Sequence, residues 1–157
     1  MPGEYSFEIG VEWLGDRGAG TASPRSYGRE HRVVAPGKPS IEASAARAFH
    51  GDASRWNPEE ELIAALAQCH LLSYLYAATS AGVNVVGYAD QTSGRLEVEP
   101  DGSGRIVEVV LRPVVTIAAG GDPEAAAALH SEAHRLCFVA NSVSFRVSIE
   151  PETLVAQ

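Results

Sequence analysis

The chain has 157 residues, 45% of them apolar, enough for one packed domain or for one subunit whose core a partner completes. Its formal net charge of -8 is repelled by phosphate backbones and by anionic bilayers, which argues against nucleic acid and membrane surfaces as partners. The opening stretch MPGEYSFEIGVEWLG alternates apolar and polar residues and has no basic segment followed by an unbroken apolar run. No signal peptide or membrane span is therefore expected, and a cytoplasmic location is.

Residues 5 to 13 alternate like a strand, and HRVVAP and SIEAS read as two more across the turn-forming PGKP, so the first third is predicted to be a β-meander. Asn57 supplies a helix N-cap, Pro58 suits the first helical position, and Glu59, Glu60 and Glu61 place negative charge where the macrodipole favours it. Leu62, Leu66, Cys69, Leu72 and Tyr76 recur at steps of three and four, which predicts the packed face of a helix ending at Gly82. VNVVGYA, GRLEVE and RIVEVVLRPVVTIA predict three further strands, joined by hairpin-type turns at DQTSG and PDGSG into a second meander. GDPEAAAALHSEAHRLCFVA repeats the helix design with Asp122 as cap and Pro123 behind it, and SFRVSIE reads as the last strand. No linker or low-complexity tract interrupts the chain. The order βββ-α-βββ-α-β predicts one α+β domain over residues 1–157, its mainly antiparallel sheets packed on two helices.

Two cysteines in a reducing compartment seldom staple a fold, and disulfides found there tend to be catalytic or redox-sensing. Cys69 lies twelve residues beyond Asn57 and Cys137 fifteen beyond Asp122, so both are expected well inside their helices, where the N-terminal dipole no longer activates a thiol. Activation must then come from side chains: an arginine to stabilise a thiolate, and a carboxylate such as Glu59 to handle protons. Ten residues of helix rise about 15 Å, so Glu59 and Cys69 of one helix cannot meet. If both serve one reaction centre, the glutamate comes from a second subunit related by two-fold symmetry.

NPEEELIAALAQCH together with AHRLCFVANSVSF resembles the OsmC/Ohr family of thiol peroxidases. Members carry an Asn-Pro-Glu-Glu-Leu helix start, a peroxidatic cysteine ten residues after the first glutamate, and a late second cysteine followed by a small polar segment. The resemblance implies an intertwined homodimer that reduces organic hydroperoxides, without metal or other cofactor, using a small dithiol of lipoyl type as reductant. It implies Cys69 as peroxidatic nucleophile, Glu59 as acid partner and Cys137 as resolving thiol. Two arginines match. Arg29 in YGREH resembles the Ohr branch and is favoured slightly over Arg47 in ARAFHGD, which resembles the OsmC branch.

The chain departs from the family at His70, where an apolar residue is usual, and at Phe138, where proline is common. His70 is expected to face a different wall from Cys69, because helix neighbours point about 100° apart. His130, His134 and Cys137 fall at steps of four and three and could bind zinc, though no fourth ligand is evident. Trp13, Trp56, Phe49 and Tyr88 are candidates for the core or for an apolar substrate pocket. The departures keep open an alternative: a non-catalytic dimeric pocket protein binding an apolar small molecule or a metal.

Overall fold

A computed structural model describes residues 3–157, which divide into two compact units, one up to Glu61 and one from Leu62 on. In the first unit β1 (Gly10–Trp13), β2 (His31–Val34) and β3 (Ile41–Ala43) form an antiparallel sheet in the order β1-β2-β3, the predicted meander. Gly37, at φ 71, makes the turn between β2 and β3, a left-handed conformation that favours glycine. Strand β1 is shorter than the alternation over residues 5 to 13, and Tyr5, Phe7 and Ile9 ahead of it are exposed. The loop between β1 and β2 is tied back by Gly28 N donating to Gly15 O at 2.8 Å and by the Trp13 indole donating to Gly28 O at 2.9 Å. A 3-10 turn at Arg47–Phe49 follows β3.

Helix α1 (Pro58–Ser80) starts as the sequence predicts: Asn57 Oδ1 accepts from Glu60 N at 2.9 Å. It ends at Gly82, whose φ of 72 lets Val83 N close onto Ala78 O at 2.9 Å. Its buried face differs from the predicted one. Leu66, His70, Tyr74, Ala77 and Ala78 are buried, whereas Leu72 and Tyr76 are 66% and 68% exposed. The helix is apolar on every side between Leu62 and Ala78, so spacing alone could not choose the face that α2 and the sheet would cover.

Four strands, not three, separate the helices, because the third predicted run divides at Arg112 into β6 (Gly104–Leu111) and β7 (Pro113–Ile117). The segment DQTSG is not a hairpin. Strand β4 (Val85–Asp90) pairs with β7, and β5 (Ser93–Val98) with β6, so β4 to β7 form one long hairpin bent at residues 91–92 and at Arg112. The turn at residues 99–103 is its true tip, with Glu99 N donating to Ser103 O at 2.7 Å. After α2 (Pro123–Leu136), β8 (Arg146–Ile149) joins β6 and β9 (Glu152–Val155) joins β7, both in parallel. Arg112 stitches the three bends together. Its N–H donates to Asp90 Oδ1 at 2.8 Å, Nη1 to Ser93 Oγ at 2.8 Å and Nε to Glu150 Oε2 at 2.9 Å.

The apolar core of this unit lies where the helices meet the bent sheet. One cluster joins Tyr74 and Ala78 of α1 with Val115 and Ile117 of β7 and Ala126 and Ala133 of α2. The other joins Leu66 with Val109 and Leu111 of β6. Asp122 caps α2 by accepting from the backbone N–H groups of Glu124 and Ala125.

Candidate active site

The two cysteines come together in the second unit, both as free thiols. Cys69 is half-buried on α1. Cys137 is 1% exposed and is not inside α2: it is the C-cap residue, its N–H bonded to His134 O at 3.2 Å. The helix stops there because residue 137 takes an extended backbone conformation, which also turns its side chain out of the helical register. Burial, then the neighbouring Cys69 thiol, pushes Cys137 up to about 11, partly offset by Ala140 N, which donates to Cys137 Sγ at 3.4 Å. The thiols are thus unequal: one buried and held protonated, the other more accessible.

Arg29 and Glu59 come together in the first unit. Both line a cavity of about 300 Å³ whose other walls include Trp13, Tyr27, Phe49 and Pro58. Glu59 sits in the first turn of α1, its Oε2 buried without a partner among the described groups. Arg29 Nη1 donates to Pro24 O at 3.1 Å and to Tyr27 O at 3.0 Å, and its guanidinium lies 4.4 Å from the centre of the Tyr27 ring. Tyr27 and these carbonyls hold the arginine at the cavity wall, a role that depends on how the loop folds and has no signature in local spacing. Arg29 also borders a second cavity of about 610 Å³, with Arg17, Arg25 and His50. Glu30 and Asp52 line the same cavity, so its three arginines face two carboxylates, and Arg17 pairs with Glu30 at 3.3 Å. Arg47, by contrast, is exposed in the 3-10 turn and does not line the cavity that holds Arg29 and Glu59.

His70, next to Cys69 in sequence, does face another wall. It is 0% exposed and its Nε2 lies 3.0 Å from Nδ1 of His130 on α2. Burial lowers His70 to about 4, with nearby Asp90 opposing and His134 adding to the shift; burial and the His70 charge lower His130 to about 4. His130, His134 and Cys137 do not gather as a zinc trio: His130 is engaged with His70, Cys137 lies past the helix end, and no group of three potential ligands that could hold a metal occurs among the described residues. Trp56 and Phe138 are 51% and 81% exposed, whereas Tyr88 packs on the core cluster around Tyr74.

A bent sheet carrying two helices, one started by Asn-Pro-Glu-Glu and bearing a cysteine that meets a second one at the end of the other helix, is the architecture of a known class. Residues 51–152 match the family model described as OsmC-like protein, and the chain belongs to that family. An OsmC-like protein of unknown function from Vibrio cholerae is 29% identical, with a TM-score of 0.85 over 94% of this chain and 99% of that one. The fold is shared with an organic hydroperoxide resistance protein OsmC from Legionella pneumophila, 18% identical, TM-score 0.71, covering 98% of this chain and 99% of that one. It is shared also with the organic hydroperoxide resistance protein OhrB of Bacillus subtilis, 19% identical, TM-score 0.62, covering 95% and 98%. No curated protein matches the sequence.

Proposed function

We propose that this protein is a thiol-dependent peroxidase that reduces organic hydroperoxides. The observation that carries the reading is the unequal thiol pair: Cys137, buried and held protonated, lies beside the more accessible Cys69 of the same chain. In this reaction the Cys69 thiolate attacks the peroxide, its sulfur takes one oxygen to become a sulfenic acid, and the alkoxide leaves as the alcohol after gaining a proton. The Cys137 thiol then condenses with the sulfenic acid, forming the disulfide and releasing water. An external small dithiol reduces the disulfide and is itself oxidised, returning both cysteines to thiols.

Arg29 and Glu59 serve this reaction from a second copy of the chain. Helix α1 is unbroken between Pro58 and Ser80, and ten residues of helix amount to about 15 Å of rise from Glu59 to Cys69. A second copy also answers the stripe on α1 that contains Cys69, since Leu72 and Tyr76, at the next steps along it, are apolar and exposed. Seated there as a two-fold homodimer, the partner brings its guanidinium to a thiolate, its unpartnered carboxylate to a proton, and its aromatic cavity to an alkyl group.

The test is intact mass of pre-reduced protein after cumene hydroperoxide. The expected wild-type product has lost two hydrogens; Cys137→Ser stops at the sulfenic acid, one oxygen heavier, and Cys69→Ser does not change. An unchanged wild-type mass would reject the peroxidase in favour of a non-catalytic pocket protein.

A further inference from the structure

Two buried polar ties connect α1 and α2. Tyr74 Oη donates to Ala126 O at 2.9 Å, and His70 Nε2 meets His130 Nδ1 at 3.0 Å. Four residues back along α1 match four forward along α2, so the ties are successive rungs between antiparallel helices. The rings reinforce them: His130 stacks on Tyr74 with centroids 4.3 Å apart, while the His70 and His130 rings lie edge to edge within 12° of coplanar, as a bond between ring nitrogens requires. Beyond the His70 rung, the next residue of α1 is Cys69, and α2 runs on to its C-cap, Cys137. Cys69 is thus one residue from the rung on α1, and Cys137 is seven residues, about 10 Å of rise, beyond His130 on α2, its thiol beside that of Cys69.

This rung is poorly designed for stability. Each neutral imidazole carries one N–H, and the bond uses only one of the two. The other falls on His70 Nδ1 or His130 Nε2, depending on the tautomer, and both nitrogens are buried with no partner among the described protein groups. A buried N–H without an acceptor costs as much as a hydrogen bond contributes, so apolar side chains of similar volume would hold the helices together at least as well. What apolar contacts cannot supply is direction. A hydrogen bond between ring nitrogens restricts the rotation of α1 about its axis, and that rotation decides where the side chain one residue earlier points.

We propose that His70, through its hydrogen bond to His130, is a positioning residue that holds Cys69 against Cys137 for disulfide closure. The purpose of that closure rests on the peroxidase reading; the juxtaposition itself does not. It is therefore tested without peroxide, in the full-length protein equilibrated with reduced and oxidised glutathione. There, oxidised glutathione takes up the two electrons and two protons of the thiol pair to become two reduced glutathione molecules as the disulfide forms. Acid quench, alkylation and mass spectrometry give the effective concentration of one thiol at the other.

The double variant His70→Leu/His130→Leu is expected to lower that effective concentration about tenfold, the equivalent of one hydrogen bond of ~1.4 kcal/mol. Its urea midpoint should stay at or above that of the wild type. His70→Gln, which keeps a polar partner for His130 Nδ1, should remain within about threefold of wild type. An effective concentration unchanged in the double variant, a loss in His70→Gln as large as in the double variant, or a lower urea midpoint in the double variant would each overturn the positioning role. Failure of cumene hydroperoxide to oxidise the wild type would reject the peroxidase and leave the glutathione result intact.

Discussion

Cys137 is buried beside the Cys69 thiol of the same chain, and its burial first and that neighbour second push Cys137 up to about 11. At neutral pH almost none of Cys137 is then thiolate, and thiolate is the form that alkylating agents attack. Limited iodoacetamide treatment of the reduced native protein should label Cys69 first and leave Cys137 unmodified until the protein is unfolded. Peptide mapping reads the order, and preferential labelling of Cys137 would reverse the assigned roles.

Glu59 and Cys69 lie on one uninterrupted helix, too far apart along it for direct contact. Mixing Cys69→Ser subunits with Glu59→Ala subunits, each inactive alone, should restore peroxide turnover in the heterodimer, to about half of one wild-type dimer if each of two sites acts independently. Confirmed heterodimers without activity would show that the glutamate is not shared between subunits. The uncovered stripe offers a companion test: Leu72→Glu combined with Tyr76→Glu should convert dimers to monomers in analytical ultracentrifugation.

Arg29 is half-buried, fixed by two carbonyls and the Tyr27 ring, and lines the cavity with Glu59, whereas Arg47 is exposed outside that cavity. Loss of a preorganised cation from a reaction centre costs on the order of a hundredfold in rate. Arg29→Ala should lower kcat/KM for cumene hydroperoxide by about that factor, and Arg47→Ala by less than about twofold. Two near-normal variants would leave neither arginine in the reaction.

His70 and His130 are buried neutral, each lowered from 6.5 to about 4, by burial first. For His70 the facing groups are Asp90 on β4, which opposes the shift, and His134 on α2, which adds to it. The unfolded chain protonates these imidazoles near pH 6.5 and the folded chain does not until about pH 4. The unfolded state therefore binds more protons between those values, and stability falls as the pH is lowered through them. The contribution is complete above pH 6.5, and its slope reaches at most about 2.7 kcal/mol per pH unit for two protons. Urea titrations at intervals from pH 7.5 to 4.5 should show this decline in the wild type and a shallower one in His70→Leu/His130→Leu. Identical slopes would mean that the imidazoles titrate alike in both states.

Much of the local architecture is legible in the sequence because its causes are local. Asn57 and Asp122 cap their helices from one residue away, Gly82 ends α1 through its own φ, and PGKP turns β2 into β3 within a few residues. The spacing of Asn57, Pro58, Glu59 and Cys69 likewise carries the family resemblance, and the family match over residues 51–152 agrees with it. The bends are not legible: β4 and β5 read as a hairpin until β7 and β6 are seen to claim them, since strand pairing is a contest among distant segments.

The sequence by itself determined which residues start and stop the helices, that two thiols stand 68 positions apart, and that a glutamate precedes the first by ten. Only the tertiary structure decided which face of α1 is buried, that Cys137 terminates α2 and meets Cys69, that Arg29 and not Arg47 shares a cavity with Glu59, and that His70 finds His130. The division has a physical origin. Capping and turn formation are settled by hydrogen bonds within a few residues, whereas the choice of a buried face on a helix apolar all round depends on what the rest of the chain brings against it.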